Sequence, residues 1–248
     1  MHHENCMWIK CLTAYWRAYL SVVIHHNYYT VTKKLMSVGP TLASIPVNPI
    51  GIMAGKAVTK VVKRCQYAKE EQNLDLSECQ LMSIPDAVYH LMRNTVILAC
   101  DLSSNVLRKI PPKFAIKFTY ITDLNLANNR LSSLPEELRD LSNLKRLDIS
   151  QNDYMLFPKV VFKLPNLIFL NAQKNHITSI DVEKLKSIRS LREVNFEDNP
   201  LTNVSREQLK SMESVVVTVH VNPPVDEDSE DDIMNLENVS PSGGENRQ

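Results

Sequence analysis

The sequence predicts a protein of the α/β class, a solenoid of about six repeats with short parallel strands along one face. Three observations point to this fold. A pattern of leucine, asparagine and proline recurs every 23 to 26 residues through the middle of the chain. Amphipathic or β-branched segments flank the repeated region at both ends. Apolar residues make up 44% of the 248, which is enough to fill a core between stacked repeats.

The repeated pattern is clearest at residues 124–135, which read LNLANNRLSSLP. It has the form L-x-L-x-x-N-x-L-x-x-L-P, and further copies begin at Leu74, Cys100, Leu147, Leu170 and Val194. This is the leucine-rich repeat signature, in which each repeat supplies a short strand to the concave face and a helical or irregular return segment to the convex face. One repeat alone cannot bury its leucines, so we expect stability only as a stacked array.

One position of the pattern is held by asparagine in five copies and by cysteine in the first. These residues are Cys79, Asn105, Asn129, Asn152, Asn175 and Asn199. The chain turns here, which leaves backbone amides and carbonyls inside the solenoid. An inward asparagine offers both donors and acceptors to such groups, and a buried unpaired amide costs about 1–3 kcal/mol. We therefore predict a structural asparagine ladder, whereas Asn125 and Asn128 should face outward and remain available to a ligand.

The chain divides by composition into five segments. They are an N-terminal extension, poorly ordered or partly helical (1–52), an amphipathic capping helix (53–72), the repeats (73–202), a C-terminal cap (203–224) and an acidic disordered tail (225–248). We interpret the extension, which shows no repeat, as an upstream addition from an alternative start or a gene-model choice. The tail holds eight acids and one base from Asp226 onward. Ser229 there resembles a site for an acid-directed kinase, although a solubilising tail is the plainer interpretation.

Both caps carry local signals of helix. Apolar residues at helical spacing run through the first cap: Val58, Val61, Val62, Cys65 and Ala68. Its lysines favour a solvated face, although a helix that binds a membrane or calmodulin would share this pattern. In the second cap, the sequence SREQ from Ser205 fits a capping box, and residues 215–221 should be extended.

The cysteines and the charge balance bear on the compartment. Five cysteines without a CxxC pair argue against a zinc site or a disulfide framework. A reducing compartment follows, so we expect the cytoplasm, with the nucleus as a second location. No apolar run reaches the length of a membrane span. The formal net charge is zero, which gives the whole chain no bias toward nucleic acid.

Residues 73–202 resemble the intracellular leucine-rich-repeat proteins with 23-residue repeats. The resemblance rests on the segments LDLSECQLMSIPDAVYHLMRN and VNFEDNPL, and on an apolar residue before proline. This step occurs at Ile84-Pro85, Ile110-Pro111, Leu134-Pro135 and Phe157-Pro158. The fifth repeat departs from it with Ile180-Asp181. The resemblance implies a cytoplasmic protein-binding role and brings no catalytic residues with it; we expect that role to be a scaffold in intracellular signalling.

The outward strand positions are the candidate binding site, because solenoids bind on the concave face. The residues we single out are Asp75, Asp101, Asp123, Asn125, Arg146, Asp148, Phe169, Asn171, Glu193 and Asn195. Eight acids oppose two bases over 24 outward positions, so we expect a basic protein segment as partner. Phe169 would be an exposed apolar anchor, and nucleic acid would meet like charge. The competing interpretation is that polar columns are a habit of the repeat and bind nothing.

Motifs for catalysis and for cofactors are missing from the sequence. It contains no GxxxxGK[ST], GxSxG, HExxH or dinucleotide-binding glycine pattern. We therefore predict a monomeric scaffold without enzyme activity, cofactor or metal. Two other classes stay open. A short repeat domain with an acidic tail also suits an acidic nuclear chaperone or phosphatase regulator. A secreted or membrane-attached repeat protein would instead carry cysteine-rich caps, and the sequence has none.

Overall fold

The structure is a computed structural model that describes residues 49–214 and 216–223. The predictions for residues 1–48 and for the tail from 224 lie outside the described residues. The helices are α1 (Pro49–Glu71), α2 (Asp86–Leu91), α3 (Lys113–Lys117), α4 (Val182–Lys186) and α5 (Asn203–Lys210). The strands are β1 (Asn73–Asp75), β2 (Ala99–Asp101), β3 (Asp123–Asn125), β4 (Arg146–Asp148), β5 (Phe169–Asn171), β6 (Glu193–Asn195) and β7 (Thr218–His220). Two 3-10 helices lie at Glu136–Asp140 and Lys159–Lys163.

The described strands form one parallel sheet in sequential order from β1 to β7. The middle residue of each strand from β1 to β6 is in register with the next and points into the core: Leu74, Cys100, Leu124, Leu147, Leu170 and Val194. Strands of three residues suffice because every repeat is stacked on its neighbours. The sheet and its return segments confirm the predicted leucine-rich repeat solenoid, and β7 extends it by one strand beyond the six repeats.

A left-handed residue ends every strand segment of the six repeats. Its φ lies between 52° and 56° at Glu78, Ser104, Asn128, Gln151, Lys174 and Asp198. The amide of Asn128 donates to Ser150 O at 2.9 Å, and the amide of Gln151 donates to Gln173 O at 2.9 Å. Asparagine tolerates this conformation better than most residues. Asn128 was expected to be available to a ligand, and the structure instead gives it a place in the turn.

The return segments begin after the proline step. Pro85, Pro135 and Pro158 directly precede α2 and the two 3-10 helices, with extended backbone at each proline. Proline presets φ and has no N–H to leave unsatisfied at a helix start. The 3-10 helices have five residues each, which is long for this tighter helix. They return the chain to the next strand within one repeat.

The capping helix α1 covers the first repeat with an apolar stripe. Val61, Cys65 and Ala68 belong to the hydrophobic core and are at most 1% exposed. The helix begins at Pro49, so the boundary predicted before Met53 falls inside it. On its polar side, Lys60 Nζ donates to Glu78 O at 2.8 Å. A basic residue of the cap therefore serves the fold, because it satisfies a carbonyl at the strand end.

The C-terminal cap consists of α5 and β7. Thr202 is the N-cap of α5, and its Oγ1 accepts from the amide of Ser205 at 3.2 Å. The predicted capping box was wrong, because Ser205 lies inside the helix, where it is buried. Strand β7 pairs with β6 in parallel. It covers an edge that would otherwise present unpaired backbone groups.

Tyr154 stands where the other repeats carry leucine or isoleucine, and its side chain is fully buried. Its hydroxyl has no hydrogen-bond partner in the described part of the chain. An unsatisfied buried hydroxyl is costly, so we expect Tyr154→Phe to raise the free energy of unfolding by about 1 kcal/mol. Urea denaturation measures this directly. A loss of stability in the variant would show that the hydroxyl is bonded after all.

Candidate interaction face of the sheet

The asparagine ladder lines the buried side of the turns. All five asparagines are at most 8% exposed. Asn129 Nδ2 donates to the carbonyls of Leu102 and Leu126 at 3.0 and 3.1 Å, and its Oδ1 accepts from the amide of Leu107 at 3.0 Å. The same side chain thus joins two consecutive repeats. Asn105, Asn152, Asn175 and Asn199 repeat this arrangement at their own turns.

Cys79, in the first repeat, is also buried, but it takes part in the ladder through its backbone amide and not through its side chain. Its backbone amide donates to Asn105 Oδ1 at 3.1 Å. No hydrogen bond of its sulfur is seen in the described chain. A thiol is a weak donor and acceptor. The first turn therefore depends on the asparagine of the second repeat.

The opposite side of the strands forms the candidate site, which we call the open face. It comprises the first and third residues of each strand from β1 to β6. The third residues make a central row: Asp75, Asp101, Asn125, Asp148, Asn171 and Asn195. In each of them a side-chain oxygen accepts from the amide two residues later, at 2.8 to 3.1 Å. The row therefore has a structural role that the sequence analysis did not assign.

Hydrogen bonds also run along the central row. Asn125 Nδ2 donates to Asp101 Oδ2 at 3.2 Å, and Asn171 Nδ2 donates to Asp148 Oδ2 at 3.0 Å. Asn125 was expected to be available to a ligand, but both ends of its amide are engaged. Asp101 and Asp148 accept only from neutral donors. Among the described residues, no cation lies within salt-bridge distance of either carboxylate.

Two other acids of the open face have cationic partners. Arg64 from α1 reaches Asp75 Oδ1 at 2.7 Å and Ser77 O at 2.6 Å. Arg146 Nε lies 3.5 Å from Asp123 Oδ1. Both pairs are partly exposed, so each stabilises the fold only modestly. The acidic surface is consequently smaller than the sequence suggested, and its uncompensated part centres on Asp101 and Asp148.

Phe169 is not the free anchor that the sequence predicted. The Arg146 guanidinium lies over its ring, 4.3 Å from the centroid. The three residues Asp123, Arg146 and Phe169 are aligned across β3, β4 and β5, so the register brings them together. An arginine over an aromatic face is attracted by the ring quadrupole. This intramolecular contact occupies the surface that we had assigned to a partner.

A shallow depression of about 320 Å³ opens between these residues. Its lining includes Asp101, Asp123, Asn125, Arg146, Asp148 and Phe169. It combines two carboxylates that lack a cation with an aromatic ring covered by the Arg146 guanidinium. Of the remaining residues predicted for the site, Asn171 and Asn195 continue the central row. Glu193 lies 3.5 Å from Nε2 of His220, which β7 adds to the face.

The described residues give no sign of a metal or membrane-spanning element. No group of three or more metal-ligating side chains comes together in residues 49–214 and 216–223. None of the helices seen there is long and apolar enough to cross a bilayer. Chemically, the open face is suited to hydrogen bonding and to binding cations.

The chain resembles several known proteins. The leucine-rich repeat family profile matches residues 99–153. Human leucine-rich repeat-containing protein 20 is 36% identical over 95 residues, which cover 37% of this chain and 52% of that protein. Its mouse counterpart is 34% identical over 145 residues, which cover 57% of this chain and 79% of that protein. Among solved structures, the leucine-rich repeat domain of APL1B shares 24% identity at a TM-score of 0.46, covering 64% of this chain and 43% of that one.

Fold and surface together define a leucine-rich repeat protein. Proteins of this class generally act by binding other proteins, and the repeat is typically a non-catalytic interaction module. The chain belongs to the family of leucine-rich repeat-containing protein 20.

Proposed function

We propose that the open face binds a basic segment of a partner protein, and that the chain works as a non-catalytic scaffold in cytoplasmic signalling. The observation that carries the proposal is the pair Asp101 and Asp148, two carboxylates without a cation on a hydrogen-bonded sheet. Charge complementarity of this kind selects partners and accelerates their association. The buried free thiols of Cys65, Cys79 and Cys100 are in keeping with a reducing compartment.

The geometry restricts the shape of the partner. Asp101 lies in β2 and Asp148 in β4, so two interstrand spacings, or about 10 Å, separate the two carboxylates along the central row. A segment in the polyproline II conformation advances about 9 Å in three residues and returns every third side chain to the same face. A partner with two cations three residues apart would therefore place one on each carboxylate while it runs across the strands. Asn125 lies between them and does not repel either cation.

A peptide-binding experiment tests this proposal. The probe is a synthetic, fluorescently labelled peptide of repeated Arg-Ala-Ala units, measured by anisotropy. The protein is the full chain with the six acids of residues 226–232 neutralised, so that this acidic run does not bind the probe. This tail-neutral chain carries Asn or Gln in place of Asp226, Glu227, Asp228, Glu230, Asp231 and Asp232.

We expect Asp101→Asn combined with Asp148→Asn to weaken binding about tenfold, because each exposed ion pair contributes up to about 1 kcal/mol. The matched control is Asp153→Asn, an exposed acid outside the open face, which should leave binding unchanged. Equal affinity of the double variant and the parent would refute the proposal. Binding seen only with the native tail would instead favour an acidic chaperone-like role.

Arg146 provides a test in the opposite direction. Arg146→Ala would uncover the Phe169 ring and free Asp123 for a partner cation. We expect affinity for the same peptide to rise about threefold, since an exposed cation–π contact is worth roughly 0.5–1 kcal/mol. The control Arg139→Ala removes an exposed arginine from a return segment and should have no effect. Weaker binding after Arg146→Ala would mean that Arg146 itself contacts the partner.

A further inference from the structure

A second surface, of opposite charge, lies along the margin of the sheet where the strands begin. Lys145, Ile168 and Arg192 directly precede β4, β5 and β6. The amide of Ile168 donates to Lys145 O at 2.8 Å, and the amide of Arg192 donates to Ile168 O at 2.8 Å. With Arg189 they form what we call the basic margin. A depression of about 250 Å³ lies here, lined by Asn143, Lys145, Asn166, Ile168, Ser190 and Arg192.

The cations of the basic margin are uncompensated. In residues 49–214 and 216–223, no carboxylate forms a salt bridge with Lys145, Arg189 or Arg192. The Arg192 guanidinium donates to the carbonyls of Arg189 and Leu191, which fixes its position. Between the cations, Ile168 is 39% exposed. Cations around an exposed aliphatic side chain match a ligand that carries carboxylates next to apolar residues.

The chain itself contains such a segment. Residues 226–232 read DEDSEDD, with six acids, and residues 233–236 read IMNL. The acidic residues of this segment lie next to its apolar residues in the sequence. On the basic margin, the cations likewise lie next to the exposed Ile168. No other stretch of the chain joins so dense an acidic run to apolar residues. Dense negative charge next to apolar residues thus singles out the tail as the complementary partner.

The tail is long enough to reach the margin. The amide of Thr218, at the start of β7, donates to Arg192 O at 2.7 Å, so β7 begins beside the margin. The described chain ends at Pro223, five residues after Thr218, so the tail begins up to about 17 Å from the margin. Ten further residues lead to Ile233 and can span about 33 Å when extended. The margin from Arg192 to Lys145 is two strand spacings wide, or about 10 Å.

We propose that residues 226–237 bind to the basic margin of the same molecule, with the acids on Lys145, Arg189 and Arg192 and the apolar residues on Ile168. Attachment through a short linker gives the tail an effective concentration in the millimolar range. At that effective concentration the tail binds within the molecule even if its affinity is too low for binding between separate molecules. The bound tail would exclude other acidic partners from the margin, and phosphorylation of Ser229 would strengthen it by adding charge.

Lysine reactivity tests this proposal on the full chain. Amine acetylation of Lys145 is followed by mass spectrometry in the native chain and in the tail-neutral chain. We expect Lys145 to react several-fold more slowly in the native chain, with the difference lost at about 1 M salt, where charges are screened beyond about 3 Å. Lys63, exposed on α1 at the other end of the solenoid, should react equally in both.

Three outcomes would overturn the proposal. The first is equal reactivity of Lys145 in the two chains. The second is protection of Lys174, on the opposite margin, in place of Lys145. The third is protection that increases with protein concentration, which would assign the tail to a second copy. None of these readouts involves Asp101 or Asp148, so this proposal and the proposed function of the open face can fail separately.

Discussion

Replacement of Asn129 by glycine should destabilise the protein strongly. The side chain satisfies two buried carbonyls and one buried amide from two consecutive repeats. Each buried group left unpaired costs about 1–3 kcal/mol, so we expect a loss of roughly 3 kcal/mol in the free energy of unfolding. Urea denaturation should show a lower midpoint. Because repeats are stabilised through their neighbours, the loss should extend beyond the third repeat.

The neighbouring residue is the matched control. Asn128 lies in the same turn but is exposed, and its φ of 54° is one that glycine adopts freely. Its side chain forms one exposed hydrogen bond, to Ser104 Oγ at 3.2 Å. Asn128→Gly should therefore stay within about 0.5 kcal/mol of the parent. Similar losses for the two variants would contradict the distinction between ladder and turn residues.

Alkaline pH should weaken the fold through its buried thiols. Burial raises the pKa of Cys65 from 9.0 to about 12 and also raises the pKa of Cys100. Above pH 9 the unfolded chain releases these protons while the folded chain keeps them. The contribution of these thiols to the free energy of unfolding is therefore fully present below pH 9. It is lost as the pH rises toward the pKa values of the folded chain. We expect a slope of about 1.4 kcal/mol per pH unit for each thiol.

Equilibrium unfolding in urea at a series of pH values from neutral to alkaline measures this slope. The control chain carries Cys65→Ala and Cys100→Ala. It should be less stable at neutral pH, because both side chains are buried. Its decline above pH 9 should nevertheless be shallower than that of the parent. Equal slopes would show that the thiols ionise alike in the folded and unfolded chains.

The sequence predicted the stacking of the repeats because one short period sets every strand. Within each repeat the apolar residues before and after the central outward residue, and the asparagine or cysteine that follows, keep fixed positions. The stack of Arg146 between Asp123 and Phe169 was also accessible, since all three occupy the same column of the pattern. It was missed because the residues were considered as separate outward positions.

Other features carry no local signal. Left-handed backbone is expected at glycine. Gln151 and Lys174 nevertheless adopt it, because the turn that follows each strand requires it at this position of the repeat. Arg64 reaches Asp75 and Ser77 from a different element, and its place depends on how α1 packs on β1. This tertiary contact removed one of the acids that the sequence had offered to a partner.

The most direct test of the account is an NMR titration of the tail-neutral chain with the Arg-Ala-Ala peptide. The amides of Ser103 and Ser150 donate to Asp101 and Asp148, so their chemical shifts report on a cation at either carboxylate. The amide of Ser77 is the internal control, because its acceptor Asp75 already holds Arg64. We expect large shifts at Ser103 and Ser150 and little change at Ser77. Equal shifts at all three, or none at Ser103 and Ser150, would contradict binding at the open face.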